Sequence, residues 1–100
     1  MKQDTSKQET WDLKIYVAGE TEKSRKAVAN LRKVCSEHLK GECHIEVVDL
    51  VKNPRLAAEE QIFAVPTVIR KLPEPLKRLI GDMSATEHVL VGLDIKTKNS

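Results

Sequence analysis

The sequence predicts a single α/β domain organised around a strand–helix–strand unit. Three observations lead there. The chain has 100 residues, the length of one domain. Leu13, Ile15 and Val17 alternate with Lys14, Tyr16 and Ala18, the period-two signature of a strand. An apolar helical stripe and a second, β-branched run then follow before residue 52, which makes a βαβ unit with a right-handed crossover.

Each element has its own justification. Gly19 closes the first strand. Thr21 is placed to cap the next helix, and Glu22 puts negative charge in its first turn, where the helix dipole favours it. Ala27, Val28, Leu31, Val34, Cys35 and Leu39 recur at helical spacing, and Gly41 is the expected stop. His44 to Val51 (HIEVVDLV) is almost continuously apolar, as expected of a strand covered on both faces. Asn53 and Pro54 read as N-cap and first residue of a short helix, with Leu56, Ala57 and Ile62 as its apolar positions. In Ala64-Val65-Pro66-Thr67-Val68-Ile69 a proline heads a β-rich run, which suggests a cis peptide ahead of an edge strand.

The last third supports two readings at once. Ser84 and Glu87 form S-x-x-E, a capping-box signature for a helix start, and Thr86, Val89, Leu90 and Leu93 would be its buried stripe. Yet Val89, Val91, Leu93 and Ile95 also alternate as in a strand, with only Leu90 out of place. Gly92 weakens either element by up to ~1 kcal/mol. Leu76, Leu79 and Ile80 are spaced for a helix, while Pro73, Pro75 and Gly81-Asp82 could bracket a short strand. A chain with two packings close in energy produces this kind of conflict.

Composition excludes several functions. Seventeen Lys and Arg against fifteen Asp and Glu leave a net charge of +2, too balanced for a general phosphate-binding surface. The three aromatic residues, Trp11, Tyr16 and Phe63, are too few for a base-stacking platform, so nucleic acid is not an expected partner. No apolar run approaches the ~20 residues of a membrane span, and the polar N-terminus carries no secretory h-region, which makes the cytoplasm the expected compartment. The positive excess lies after residue 50, where Arg70, Lys71, Lys77 and Arg78 read as a solvated basic segment. Residues 1–10 and 97–100 read as tails, and residues 11–96 as the domain.

No catalytic set assembles. G-x-S-x-G, G-x-x-x-x-G-K-[ST] and H-E-x-x-H are absent, so no catalytic residue, cofactor or metal is expected. Asp49 at a strand end reads as a hydrogen-bonded acid. Cys35 and Cys43 are spaced C-x7-C, unlike a redox or common zinc pattern; both read as reduced thiols, with Cys35 inert on the apolar stripe. The order β-α-β-α followed by Val-Pro-Thr is the thioredoxin-like plan. Residues 18–24 (AGETEKS), where a thioredoxin carries C-x-x-C, hold no thiol, which leaves a binding role and makes a thiol redox protein the remote alternative.

Five runs then resemble one family. Lys14-Ile15-Tyr16-Val17-Ala18-Gly19, Val48-Asp49-Leu50-Val51-Lys52-Asn53-Pro54, Pro66-Thr67-Val68, Leu79-Ile80-Gly81-Asp82-Met83-Ser84 and Val89-Leu90-Val91-Gly92-Leu93-Asp94 are similar, in order and spacing, to KaiB of the circadian oscillator. The resemblance implies a homotetrameric ground state of order βαββααβ, with the C-terminal segment a strand. It also implies a rarer thioredoxin-like monomer, βαβαββα, with that segment a helix. Pro66, Ser84, Glu87, Gly92 and Asp94 become the fold-switch residues, and Gly92 and Asp94 help hold the ground state. Because concentration favours association, the tetrameric order is the expected one. The implied partners are a second copy of the chain, a KaiC-like ATPase hexamer and a histidine kinase. The implied partner-binding positions are Trp11, Lys14, Lys26, Glu46 and Gln61, the last two standing where cyanobacterial members carry lysine. Two lost positive charges weaken docking on an acidic loop and point to a member outside the oscillator, with a role in stress adaptation.

Overall fold

A computed structural model describes residues 10–39 and 42–96. Their order is β1 (Trp11–Val17), α1 (Glu22–His38), β2 (Cys43–Asp49), α2 (Arg55–Glu59), β3 (Thr67–Leu72), β4 (Lys77–Ile80) and α3 (Thr86–Gly92). The strands form one sheet in the order β2-β1-β3-β4. β1 runs parallel to β2 and antiparallel to β3, and β4 returns antiparallel to β3. The expected tails fall outside the described residues, Thr10 aside.

The alternation in β1 sorts its side chains between two cores, because successive residues of a strand face opposite sides. Leu13, Ile15 and Val17 join Ala27, Leu31 and Val34 of α1 with Val68, Leu79, Val89 and Leu93. Tyr16 belongs to a second cluster with Val48, Ile62 and Ile69, flanked by Leu50 and Leu56. α1 and α3 therefore cover one face of the sheet, and the α2 segment covers the other. α1 starts as its sequence predicts: Thr21 is the N-cap, and its Oγ1 accepts the Ser24 backbone N–H at 3.0 Å. At the other end the Leu39 N–H reaches the Cys35 carbonyl at 3.0 Å; Gly41 lies outside the described residues.

The chain takes the order βαβαββα, not the βαββααβ order expected of the ground state. In this single chain Val89 and Leu93, one helical turn apart, are both fully buried, so the helical spacing of residues 86–92 finds its core within the same molecule. Val91, which the alternating reading would bury, is 81% exposed. Leu79 enters the core from a strand, so of the two readings of residues 76–80 the strand is the one formed.

Four local expectations are corrected. β2 is not covered on both faces: it is an edge strand in which only Val48 is buried. A β-branched run fits any pleated, partly buried surface, so its composition does not separate the two cases. β3 is interior, and Pro66 precedes it, after a cis Val65–Pro66 peptide. Asn53 is not the α2 cap; its N–H and side-chain amide both reach back to the Asp49 carbonyl, at 3.0 and 3.4 Å, and Pro54 takes the cap position. Ser84 does not cap α3 either. Its hydroxyl donates to the Asp82 carboxylate at 2.6 Å, so it serves the preceding turn, and Ala85 is the cap.

Candidate functional site

Register places one row of side chains on the α2 face of the sheet. Glu46 of β2 pairs with Lys14 of β1, Lys14 with Ile69 of β3, and Ile69 with Arg78 of β4. Residues directly opposite in adjacent strands share a face, so Glu46, Lys14 and Arg78 form a charged stripe across the sheet, interrupted by buried Ile69. Lys14 Nζ lies 3.8 Å from Glu46 Oε1, a half-buried lysine paired with an exposed glutamate. At the far end Arg78 donates through Nη1 to the Gln61 carbonyl at 2.9 Å and through Nη2 to the Glu60 carbonyl at 2.8 Å. Glu60 in turn lies 4.0 Å from Lys71 Nζ. This fork closes the C-terminus of α2, where Gln61 takes a left-handed φ of 57°. Tyr16 lies in the same neighbourhood. Burial, then the carboxylates of Glu60 and Glu46, raise its phenol pKa, with Arg78 opposing.

Three of the five expected partner-binding residues, Lys14, Glu46 and Gln61, thus share the α2 face. Lys26 is exposed on α1, on the opposite side. Trp11 is 7% exposed and belongs to the α1-side core. Its ring is covered by Arg70, whose guanidinium carbon stands 5.3 Å from the ring centroid. Phe63, between α2 and β3, is 90% exposed, and Ile80, the last residue of β4, 57%.

Sequence reasoning misplaced Arg70. It is 2% exposed, not a member of a solvated basic segment. Nη1 donates to the Leu93 carbonyl and Nη2 to the Pro75 carbonyl, each at 2.7 Å, while Nε has no partner in the protein. A buried charge requires such partners, because desolvation otherwise costs several kcal/mol. One guanidinium therefore joins β3, the β3–β4 turn, the end of α3 and Trp11. The available signal was its place in Val68-Ile69-Arg70, where Arg70 shares a face with Val68.

Of the expected fold-switch residues, Gly92 and Asp94 flank the Leu93 end of this join, whereas Pro66 lies at the other end of β3 and Ser84 and Glu87 at the start of α3. Pro66 is buried ahead of β3, and its carbonyl accepts the Gly81 N–H at 3.0 Å. Glu87 is exposed in the first turn of α3. Gly92 ends α3 against β4, where an added Cβ would stand 2.6 Å from Leu79 Cδ1. Asp94 follows at a φ of 56°, a left-handed conformation that aspartate tolerates better than most residues.

Two further groups carry chemistry. Asp49 Oδ1 accepts the Gly19 N–H at 2.8 Å and the Val51 N–H at 2.9 Å, joining the turns after β1 and β2. The bond from Val51, then that from Gly19, holds its carboxyl below the ordinary carboxylate range. Cys35, in the last turns of α1, and Cys43, the first residue of β2, are both free, with their sulfurs 3.0 Å apart. Among the described residues no group of three or more His, Cys, Asp or Glu is placed to hold a metal ion, and no described helix is long and apolar enough to cross a membrane.

The topology and the empty β1–α1 turn define a thioredoxin-like α/β protein without thioredoxin's paired cysteines at that turn. Solved structures agree on the fold. The N-terminal domain of Synechococcus elongatus SasA aligns with a TM-score of 0.67 at 14% identity, over 78% of this chain and 74% of that one. Mitochondrial thioredoxin 3 of Saccharomyces cerevisiae aligns with a TM-score of 0.64 at 18% identity, over 88% and 80%. Sequence comparison is narrower. A family profile described as the KaiB domain matches residues 14–95. The circadian clock protein KaiB3 of Synechocystis sp. is 46% identical over 83 residues, 83% of this chain and 81% of that protein. The circadian clock oscillator protein KaiB of Prochlorococcus marinus is 46% identical over 90 residues, 90% and 77%. The chain belongs to the KaiB family.

Proposed function

We propose that this chain is a non-enzymatic regulatory protein that docks on a KaiC-like ATPase hexamer and exchanges between a self-associated form and the thioredoxin-like monomer. It acts in circadian timing or, in a cell without KaiA, in stress adaptation. The observation that carries the reading is the state of residues 84–95. Their sequence supports strand and helix alike, and in the folded chain residues 86–92 among them form α3, whose end is tied to the sheet by Arg70 through the Leu93 carbonyl. A segment with two compatible patterns and one polar tie is suited to an equilibrium that partners bias. Self-association favours one form by mass action, and a partner that binds only the other draws it off. If the binding form is ~1% populated, apparent affinity falls about a hundredfold.

The α2 face is the docking surface this reading favours. Glu46 occupies Lys14 in an ion pair and Gln61 is neutral, so the stripe carries little net positive charge, and attraction to an acidic loop is weaker than with lysine at those positions. The test is size-exclusion chromatography of the full chain at high concentration with a KaiC-like hexamer. Co-elution after a day supports the reading, and separate elution overturns the KaiC-docking claim. Capture of a histidine kinase instead, by pull-down from the native cell, would favour an interaction domain that works without KaiC.

A further inference from the structure

We propose that Cys35 and Cys43 form a redox-responsive pair that closes reversibly to an intramolecular disulfide in the presence of a peroxide, cross-linking the end of α1 to the start of β2. The geometry carries it. The sulfurs are 3.0 Å apart in the reduced chain, about 1 Å longer than a disulfide bond. They come from different elements, the last turns of α1 and the first residue of β2, an edge strand of the sheet. Cys35 is buried and Cys43 half-buried. Both line a cleft of about 350 Å³ with Arg32, Ser36, Leu39 and Ile45, which is open enough to admit a small oxidant.

The environment also divides the roles. The hydrogen bond shared with Cys35 lowers the Cys43 thiol pKa, while that bond and burial push Cys35 upward. Cys43 is also the less buried sulfur of the two, so it is the thiolate that reacts first, since the thiolate is the nucleophile, and Cys35 is the resolving thiol. The Cys43 sulfur attacks one oxygen of hydrogen peroxide; the O–O bond breaks, and hydroxide leaves and takes up a proton as water. The resulting sulfenic acid is attacked by the Cys35 sulfur. The S–S bond forms as the S–O bond breaks, and the departing hydroxide leaves as a second water with the Cys35 proton. Two electrons pass from the sulfur pair to the peroxide. An added dithiol reverses the process by thiol–disulfide exchange and is itself oxidised.

This pair differs in place from the thioredoxin dithiol: it lies at the far end of α1, not in the β1–α1 turn. Its position links it to the rest of the domain, because Cys43 pairs in register with Trp11, the ring covered by Arg70.

The experiment treats the full chain with hydrogen peroxide and reads intact mass, thiol titration and a non-reducing gel. The expected result is a monomer that loses two hydrogens and both titratable thiols, recovers both with dithiothreitol, and changes the fluorescence of Trp11, the one tryptophan. With Cys35→Ser, Cys43 should stop at a sulfenic acid that dimedone traps. Wild-type chain that keeps both thiols, that gains oxygen at Cys43 without losing Cys35, or that forms only disulfide-linked dimers overturns the proposal. The wild-type mass decides the matter even if the Cys35 variant fails to fold.

Discussion

Residues 11–49 and residues 67–95 each supply two strands to the same sheet, yet they are held to it differently. In the first region Leu13 and Ile15 of β1 and Ala27 and Leu31 of α1 are all fully buried against one another, so many apolar contacts support each element. In the second, α3 has seven residues and only Val89 among them is buried. Leu93 and Ile95 add apolar contact just beyond it, and the Arg70 guanidinium of β3 ties the Leu93 carbonyl to the sheet. A region held by distributed burial responds to mutation by losing stability as a whole. α3, held by a few apolar contacts and the Arg70 join at its end, responds by detaching.

The largest effect is expected in the first region. Leu31→Ala opens a cavity between α1 and β1 in a close-packed core and should cost ~2–5 kcal/mol. Equilibrium urea denaturation followed by circular dichroism should show a lower midpoint with one cooperative transition. A cost under ~1 kcal/mol, or loss of α3 alone, would remove the distinction between the regions.

Arg70→Met should follow at about 3 kcal/mol, because the buried Leu93 carbonyl loses its charged donor and remains desolvated, and the part-buried bond to the Pro75 carbonyl is lost with it. The contrast lies in the pattern rather than the size. Amide hydrogen exchange in residues 86–95 should accelerate far more than in α1, as local opening of a weakly held unit does, and Trp11 fluorescence should shift as its covering cation leaves. Uniform acceleration across α1 and α3 would show that the join is not local. Arg70→Lys should restore only part of the protection, since an ammonium lacks the planar fork that reaches two carbonyls.

The same contrast explains what could be read in advance. β1 and α1 were legible because burial there follows a simple period, two in one and 3.6 in the other, over several residues. Residues 84–95 were not, because Val89 and Leu93 fit both periods and the choice depends on what they meet, namely Leu79 and the α1 face. Arg70 was misread because a cation among Lys71, Lys77 and Arg78 is by default a surface residue; only the arrival of the α3 terminus buries it. The Arg78 fork to Glu60 and Gln61 uses backbone carbonyls, which leave no mark on side-chain pattern. Cys35 and Cys43 stand out in the sequence as two reduced thiols, but their spacing matches no motif, so the contact between their sulfurs is visible only in the fold. Lys14, Glu46 and Gln61 emerged as individual positions, whereas their shared face required the register.

The smallest effect tests whether a polar join in the first region behaves like the one in the second. Asp49 also ties two segments through backbone groups, Gly19 and Val51, but it is half-buried where Arg70 is fully buried. Water screens and replaces partly exposed interactions, so Asp49→Asn should change stability little near neutral pH, and the pH dependence is the discriminating measurement. The carboxyl pKa is lowered in the folded chain, by the Val51 bond first, while in the unfolded chain it is about 3.9. The contribution is therefore fully present above the unfolded value and is lost as pH falls through the lowered folded value. Asp82 is shifted the same way, chiefly by the Ser84 hydroxyl, and supplies the internal control. Denaturation midpoints from pH 6 down to about pH 2 should fall less steeply for Asp49→Asn than for wild type, with the remaining slope reduced again by Asp82→Asn. Curves that stay parallel across that range would mean that the Asp49 join adds nothing to folding, in contrast to the buried join at Arg70.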